Sequence, residues 1–264
     1  GGLGLFSSFV ISTPIAILFG YLVGKLLNNA KGKEMITSMI LGFFASGVYQ
    51  LLFLVLAGTV IPFKNKDMLL TSGVGLKNTV DLAGVKYALD RAIPITKYPI
   101  STLLVSLILF LLVNHLLKTK LGQEMRSVGQ NMHIAEVSGI NVDRTRIIAI
   151  IISTVLAAWG QIIFLQNIGT MNTFGSHSQV GLFAVASLLV GGASVEKATW
   201  KEALIGTFLF HFLFIISPLA GQNLMNNAQI GEFFRVFVAY GVIGIALLIH
   251  AWEKDKAKTS LSDI

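Results

Sequence analysis

The chain has 264 residues, of which 54% are hydrophobic and only 12% are charged. Because a soluble globular domain carries about 25% charged residues, these charges are too few to cover a water-facing surface, and much of the surface must face lipid. The net charge of +7 comes without a basic patch interleaved with aromatic residues, which argues against nucleic-acid binding, and the lack of cysteine excludes disulfides and thiol catalysis.

Two long apolar runs open the chain. The first covers residues 5–27, and its Gly20 and Gly24 have the small-xxx-small spacing that lets a second membrane helix approach closely. A polar turn at 28–34 separates it from the second run, residues 35–62. Each run is long enough to span a bilayer.

The middle of the chain alternates between polar and apolar segments. Residues 63–99 are rich in Lys and Asp and predict an extramembrane segment with a short helix near 82–89. The third span is predicted at 100–117 and the fourth at 147–167, and the polar stretch 118–146 connects them.

Three further apolar segments complete the predicted fold. The run 181–193 is short for a span and suits a partial or re-entrant helix, whereas 203–219 and 233–252 are longer. The mixed-charge tail, 253–264, is expected to be solvated and poorly ordered. The sequence therefore predicts an all-α fold, a polytopic transmembrane helical bundle of about seven apolar segments that forms a single domain over 1–264.

The distribution of Lys and Arg predicts the orientation in the membrane. The connections 168–180 and 220–231 contain no Lys or Arg, whereas basic residues occur in the connections on the other side of the bundle. Those connections are 28–34, 118–146, 194–202 and 253–264. Because basic loops stay in the cytoplasm, we expect this set to be cytoplasmic and 63–99 to be extracytoplasmic, provided that 181–193 crosses the membrane.

The polar stretch 118–146 has features of a folded element. We expect a short amphipathic helix to begin near Asn131 and to turn Ala135, Val137 and Ile140 toward a supporting surface.

Three glycines in this stretch suggest its turns. Gly139 is placed to end the short helix in the left-handed conformation, and Gly122 and Gly129 allow sharp turns before it. A solvated connector and a docking element both remain open from the residues alone.

Two runs in this stretch resemble the cytoplasmic loop of ABC importer permeases of the ribose, simple-sugar and nucleoside group. They are 119–131, TKLGQEMRSVGQN, and 138–142, SGINV, with Ala135 between them. The group typically shows Leu-Gly-Arg-x-x-Arg-Ala-x-Gly-x-Asn, then Ala, then Ser/Tyr-Gly-Ile-Asn-Val. Gln123 replaces a common basic residue and Ser127 a common Ala, and both changes are mild.

The resemblance implies a permease subunit in the bacterial plasma (inner) membrane that is not itself an enzyme. Separate ABC ATPase subunits would use ATP, so no cofactor is expected on this chain, and it has no phosphate-binding loop of its own. An extracytoplasmic solute-binding protein or lipoprotein and a second permease subunit, identical or different, are the other implied partners. The family's early Gly-Gly-acidic-Leu-Ser stretch is not found, which suggests that the N-terminal part is missing.

The resemblance also assigns a role to the 118–146 loop, in which a coupling helix docks on the ATPase. The residues expected to form this docking element are Arg126, Gly129, Asn131, Ala135, Gly139 and Asn141.

Polar side chains within the apolar runs are the candidates for a solute pathway, because intramembrane polar groups are costly. They are Gln50, Gln161, Gln166 and Asn167. Each could bind a hydroxylated solute or bridge two helices, and both interpretations remain open. No metal-binding spacing occurs in the sequence, so no metal site is predicted.

The function that these features favour is an ATP-driven importer of a sugar or nucleoside. One alternative is a permease for branched-chain amino acids, which would need buried charged partners or helix termini for an ammonium and a carboxylate. The other is a membrane-embedded enzyme, which would need a nucleophile or metal cluster that the sequence does not contain.

Overall fold

The computed structural model describes residues 2–63, 66–92, 100–194 and 198–262. The chain divides into two compact units, of which unit 1 ends at Ser176 and unit 2 begins at His177. The single domain predicted for 1–264 stays a prediction.

Most of unit 1 is helical. Its elements in chain order are α1 (Gly2–Asn29), α2 (Glu34–Val55), a 3₁₀ turn (Lys66–Met68), β1 (Thr79–Asp81), α3 (Ala88–Ala92), α4 (Ile100–Lys118), α5 (Lys120–Gln130), α6 (Met132–Val137), α7 (Val142–Ile168) and β2 (Thr170–Asn172).

Three helices follow along the chain. They are α8 (Ser176–Val190), α9 (Trp200–Met225) and α10 (Ala228–Ser262).

The helices confirm the predicted all-α membrane fold. In the described part of the chain, five of them, α1, α2, α4, α7 and α9, are long and apolar enough to cross a membrane, and α8 is a shorter apolar helix. The count of about seven segments and the missing N-terminal part stay predictions.

Close packing of α1 against α7 forms the centre of unit 1. A Cβ at Gly20 would lie 2.9 Å from Cα of Ile151, and one at Gly24 would lie 3.2 Å from Cα of Ile147. The predicted close helix approach at the two glycines is therefore confirmed. Trp159 of α7 adds a hydrogen bond, because its Nε1 donates to Oγ1 of Thr13 at 3.0 Å.

One end of unit 1 carries a small folded layer. Strands β1 and β2 pair antiparallel, with Val80 opposite Met171. Val80 joins Ala57, Leu69 and Leu76 in a buried apolar cluster. The segment that contains β1 thus packs against the α7–α8 connection. The helix predicted near 82–89 is displaced, because turns occupy 83–87 and α3 is Ala88–Ala92.

The opposite end of unit 1 joins the turn between α1 and α2 to the start of α7. Nζ of Lys31 lies 2.6 Å from Oδ1 of Asp143, and Nη2 of Arg146 lies 2.9 Å from Oε1 of Glu34. The amide of Asn28 donates to the carbonyl of Asp143 at 2.9 Å. The polar segments 28–34 and 118–146 therefore share one end of the unit.

In unit 2, small residues bring α8, α9 and α10 together. A Cβ at Gly206 of α9 would collide with the backbone of Ser187 in α8, and one at Gly231 of α10 would collide with the backbone of Ser217 in α9. Arg235 does not pair with Glu232 among the described residues, and its guanidinium lies 3.7 Å from the ring centroid of Phe214. The helix α10 continues to Ser262, so most of the segment predicted as a poorly ordered tail is helical.

Candidate coupling segment and polar pathway

The helix α5 was not predicted. Gly122 and Gly129, expected at sharp turns, both lie inside it, so that expectation was wrong. Gly122 instead serves a close approach, since a Cβ there would stand 2.5 Å from the backbone of Leu117 at the end of α4. The chain thus reverses from α4 into α5 within two residues.

The short helix α6 begins where the sequence predicted. Asn131 is its N-cap, and Oδ1 accepts hydrogen bonds from the backbone N–H groups of His133 at 3.0 Å and Ile134 at 3.1 Å. Two of the free donors at the helix start are therefore satisfied, which is the contribution of an N-cap side chain.

Gly139 ends α6 as predicted. Its φ is +83°, a conformation that glycine adopts without steric cost. The N–H of Gly139 donates to the carbonyl of Glu136, and the N–H of Ile140 donates to the carbonyl of Ala135, each at 3.0 Å. This pair of bonds is a Schellman motif, which satisfies carbonyls at the helix end.

The underside of α6 packs on α5 and α7. Ala135 is fully buried in a cluster with Val128 of α5 and Val142 of α7, and Ile140 packs against the cluster. Asn141 then caps α7, because its Oδ1 accepts from the N–H of Arg144 at 3.0 Å. The α5–α6 segment is therefore held in one conformation by its own contacts.

The outer face of α6 carries exposed apolar side chains beside its polar ones. Val137, predicted to support the helix, is 77% exposed, because Ala135 and Ile140 fill the available space. Ile134 and Met132 are exposed beside it, and Arg126 is exposed on α5. Met132 and Ile134 were not predicted to be exposed, although apolar residues in a polar segment are a signal that could have identified them.

The six predicted docking residues fall into two groups. Four of them fix the backbone, namely Asn131, Ala135, Gly139 and Asn141. Arg126 and Gly129 are exposed on α5, and nothing lies within 4 Å of a Cβ built at Gly129.

Of the predicted pathway residues, Gln166 is the most buried, with 2% of its surface exposed. Its Nε2 donates to Oγ1 of Thr102 at 3.0 Å and to Oδ1 of Asn167 at 3.3 Å, and its Oε1 accepts from the N–H of Leu89 at 3.4 Å. Thr102 donates in turn to Oδ2 of Asp90 at 2.6 Å. This network joins α3, α4 and α7.

The other pathway candidates lie near the connection between α7 and α8. Nε2 of Gln50 donates to the carbonyl of Phe174 at 3.1 Å, and Nε2 of Gln161 donates to Oγ of Ser176 at 3.2 Å. Asn167 is exposed. Gln50 and Gln161 are only partly buried, so polar atoms at this end of unit 1 remain accessible.

Among characterised proteins, the chain is similar to several permeases. It is 29% identical to the xylose transport system permease protein XylH of Haemophilus influenzae, over 67% of this chain and 44% of that protein. Identity is 26% with the ribose import permease protein RbsC of the same species, over 89% of this chain and 66% of that protein. Identity is 29% with the nucleoside ABC transporter permease protein NupB of Lactococcus lactis, over 49% of this chain and 34% of that protein. The chain spans about half the length of the curated relatives it matches.

No solved structure matches the chain. Residues 1–249 match the family described as the permease component of the branched-chain amino acid transport system. The long apolar helices and this match identify a multi-pass protein of the inner membrane, and the family consists of transport components rather than enzymes. Because the match covers nearly the whole sequence, the chain belongs to this permease-component family.

Proposed function

We propose that the chain is the membrane-spanning permease subunit of an ATP-driven ABC importer for a sugar or nucleoside. Relatives named as xylose, ribose and nucleoside permeases support this class of solute. In this proposal separate ATPase subunits bind and hydrolyse ATP. An extracytoplasmic solute-binding protein or lipoprotein delivers the solute, and a second permease subunit completes the pathway.

The observation that carries the proposal is the folded α5–α6 segment. Its backbone is fixed by a cap, a Schellman motif and a buried alanine, while Ile134 and Val137 remain exposed. Exposed apolar side chains on a rigid element suit a protein–protein contact. Arg126 would add hydrogen-bond donors to the ATPase subunit.

The proposed orientation places 118–146 and the 253–264 tail in the cytoplasm and 63–99 outside. The ion pairs between 28–34 and α7 support a common side for 28–34 and 118–146. The β1–β2 pairing likewise supports a common side for 63–99 and the α7–α8 connection.

For the solute pathway, the proposal retains Gln50, Gln161 and Asn167, whose side chains are exposed or partly buried. Gln166 would position the helices around the pathway, because its side chain is buried and both its amide nitrogen and its amide oxygen are hydrogen-bonded to the chain itself.

A topology experiment tests the proposal directly, since the chain contains no cysteine to remove first. A Val137→Cys variant should react with a membrane-impermeant maleimide only in inside-out vesicles, and bound ATPase subunits should protect it. An Asn78→Cys variant, on the exposed side of the β1 segment, should react only in intact cells. Labelling of the Val137→Cys variant in intact cells would exclude a cytoplasmic motor at α6.

The Gly139→Val variant tests the shape of the segment. The φ of Gly139 is +83°. A β-branched residue is strained in this conformation, which costs about 1–3 kcal/mol of stability. Uptake should fall while ATP hydrolysis continues. The control is Gly139→Asn, because asparagine tolerates the left-handed conformation, and it should keep most of the uptake. Equal transport in both variants would contradict a role for this backbone shape.

A further inference from the structure

Arg146 lies where α7 meets three other helices. Its Nη2 lies 2.9 Å from Oε1 of Glu34, the first residue of α2, and 3.5 Å from the carbonyl of Leu27 in the last turn of α1. Its Nη1 lies 3.5 Å from Sδ of Met132, the first residue of α6. One guanidinium therefore contacts the start of the coupling helix and the ends of both α1 and α2.

The contact with Glu34 is shielded from water on the Arg146 side. The side chain of Arg146 is 11% exposed and that of Glu34 is 34% exposed. Removing Glu34 would leave the charge of Arg146, which is mostly buried, without its counter-charge, so the pair favours one relative position of its helices.

A second ion pair at the same end of unit 1 differs in its exposure. The side chains of Lys31 and Asp143 are 46% and 59% exposed, although their charged atoms are 2.6 Å apart. Solvent screens such a pair, and pairs of this kind contribute about 0–1 kcal/mol. The Lys31–Asp143 pair is therefore a matched control, because it has the same kinds of charge in the same region but holds its helices together only weakly.

The helix α2 depends on contacts at its ends, because none of its residues is buried. At the inner end Glu34 binds Arg146, and near the outer end Tyr49 and Gln50 donate hydrogen bonds to the carbonyl of Phe174 at 2.8 and 3.1 Å. A 22-residue helix is about 33 Å long and moves as one body. A shift of Glu34 would therefore reach the connection between α7 and α8.

We propose that the Arg146–Glu34 ion pair is the positioning contact that passes movement of α6 to α2 and, through α2, to the Phe174 connection. This inference rests on the proposed docking of α6 on an ATPase. When the motor displaces α6 and the start of α7, Arg146 carries the inner end of α2 with it. The two residues position the helices and do not touch solute or nucleotide.

The test uses the complete importer, reconstituted with its ATPase and solute-binding partners, and measures solute moved per ATP hydrolysed. Glu34→Gln removes the charge but keeps the size of the side chain. It should lower this ratio about tenfold, within the range for directly coupled residues, with ATPase assembly unchanged.

The control variant Asp143→Asn breaks the exposed pair and should leave the ratio within about twofold. The inference is overturned if Glu34→Gln keeps the wild-type ratio or if Glu34→Gln loses ATPase assembly in parallel with uptake. Failure of the proposed function would look different, because the wild-type chain would then not assemble with an ATPase at all.

Discussion

At the scale of single residues, glycine at position 20 sets the distance between two membrane helices. A Cβ there would lie 2.9 Å from Cα of Ile151, closer than two such atoms approach in proteins. We predict that Gly20→Ala forces α1 away from α7 and lowers stability by about 1–3 kcal/mol, the range for overpacked interiors. Thermal unfolding of the purified protein in detergent measures the change.

The control for this variant is Gly42→Ala on α2, where nothing lies within 4 Å of the added atom. It should leave the unfolding temperature unchanged or raise it slightly, because alanine favours a helix more than glycine does. Equal loss in both variants would mean that the α1–α7 approach is not limited by Gly20.

A variant at Gln166 distinguishes a role in helix packing from a role in solute binding. Gln166 is 2% exposed and hydrogen-bonded to Thr102, Asn167 and the backbone of Leu89. Replacement by leucine strands these partners, so Gln166→Leu should destabilise the protein by about 1–3 kcal/mol. The apparent KM of uptake should remain unchanged in the protein that does fold.

Asn167→Ala provides the contrast, because this neighbour is exposed. If Asn167 contributes to the solute pathway, its variant should raise KM and should lower the unfolding temperature less than Gln166→Leu does, because it removes only one of the hydrogen bonds of Gln166. A raised KM for Gln166→Leu at full stability would instead place Gln166 in the pathway.

At the scale of elements, α6 has only six residues and depends on its cap. Asn131→Ala removes the acceptor for two backbone donors and should cost about 1 kcal/mol of local stability. Because a frayed α6 presents Ile134 and Val137 poorly, ATPase subunits should bind more weakly, which co-purification or surface plasmon resonance measures. Asn131→Asp keeps the cap and should bind like the wild type, and comparable weakening in both would argue against the cap.

The same segment shows what could be predicted from sequence. The start of α6 at Asn131 and its end at Gly139 follow local rules, because a cap and a left-handed glycine are determined by neighbours along the chain. The helix α5 was missed because Gly122 suggested a turn, whereas a contact with the backbone of Leu117 explains why glycine occurs there. That contact is tertiary and leaves no local pattern.

Which residues of α6 are exposed could not be predicted from the neighbouring sequence either. The predicted supporting face included Val137, yet two neighbouring helices, α5 and α7, supply only enough space for Ala135 and Ile140. The polar candidates Gln50, Gln161 and Gln166 are buried or partly buried, and their role in a solute pathway stays a prediction. Which of them bridges helices depends on partners such as Thr102, which lies 64 positions away from Gln166 along the chain.

At the scale of the whole molecule, the charge pattern and the contacts of unit 1 agree. Segments predicted on one side of the membrane by their basic residues meet through Arg146–Glu34 and Lys31–Asp143. Segments predicted on the other side meet through β1 and β2. The helix α7 reaches both ends, so it connects the proposed coupling segment to the polar residues near Phe174.

Whether the chain transports a neutral solute or an amino acid depends on the charged residues of all its membrane-spanning helices. In the described candidate spans, Asp and Glu occur only at helix starts, as Glu34, Asp143 and Glu202. A zwitterionic amino acid would meet no acidic side chain in the middle of these described spans. A hydroxylated neutral solute needs only hydrogen bonds, which Gln50 and Gln161 can provide.

We therefore predict that ATP-dependent uptake by the assembled importer is saturable for a sugar or nucleoside and that a large excess of leucine does not compete with it. Ligand binding to the cognate solute-binding protein identifies the solute to be labelled, and uptake into proteoliposomes measures the competition. The control is an unlabelled excess of the same solute, which should abolish the signal. Saturable, ATP-dependent uptake of leucine would show instead that a charged solute can cross without an acidic residue in the middle of these spans, and it would favour the amino-acid alternative.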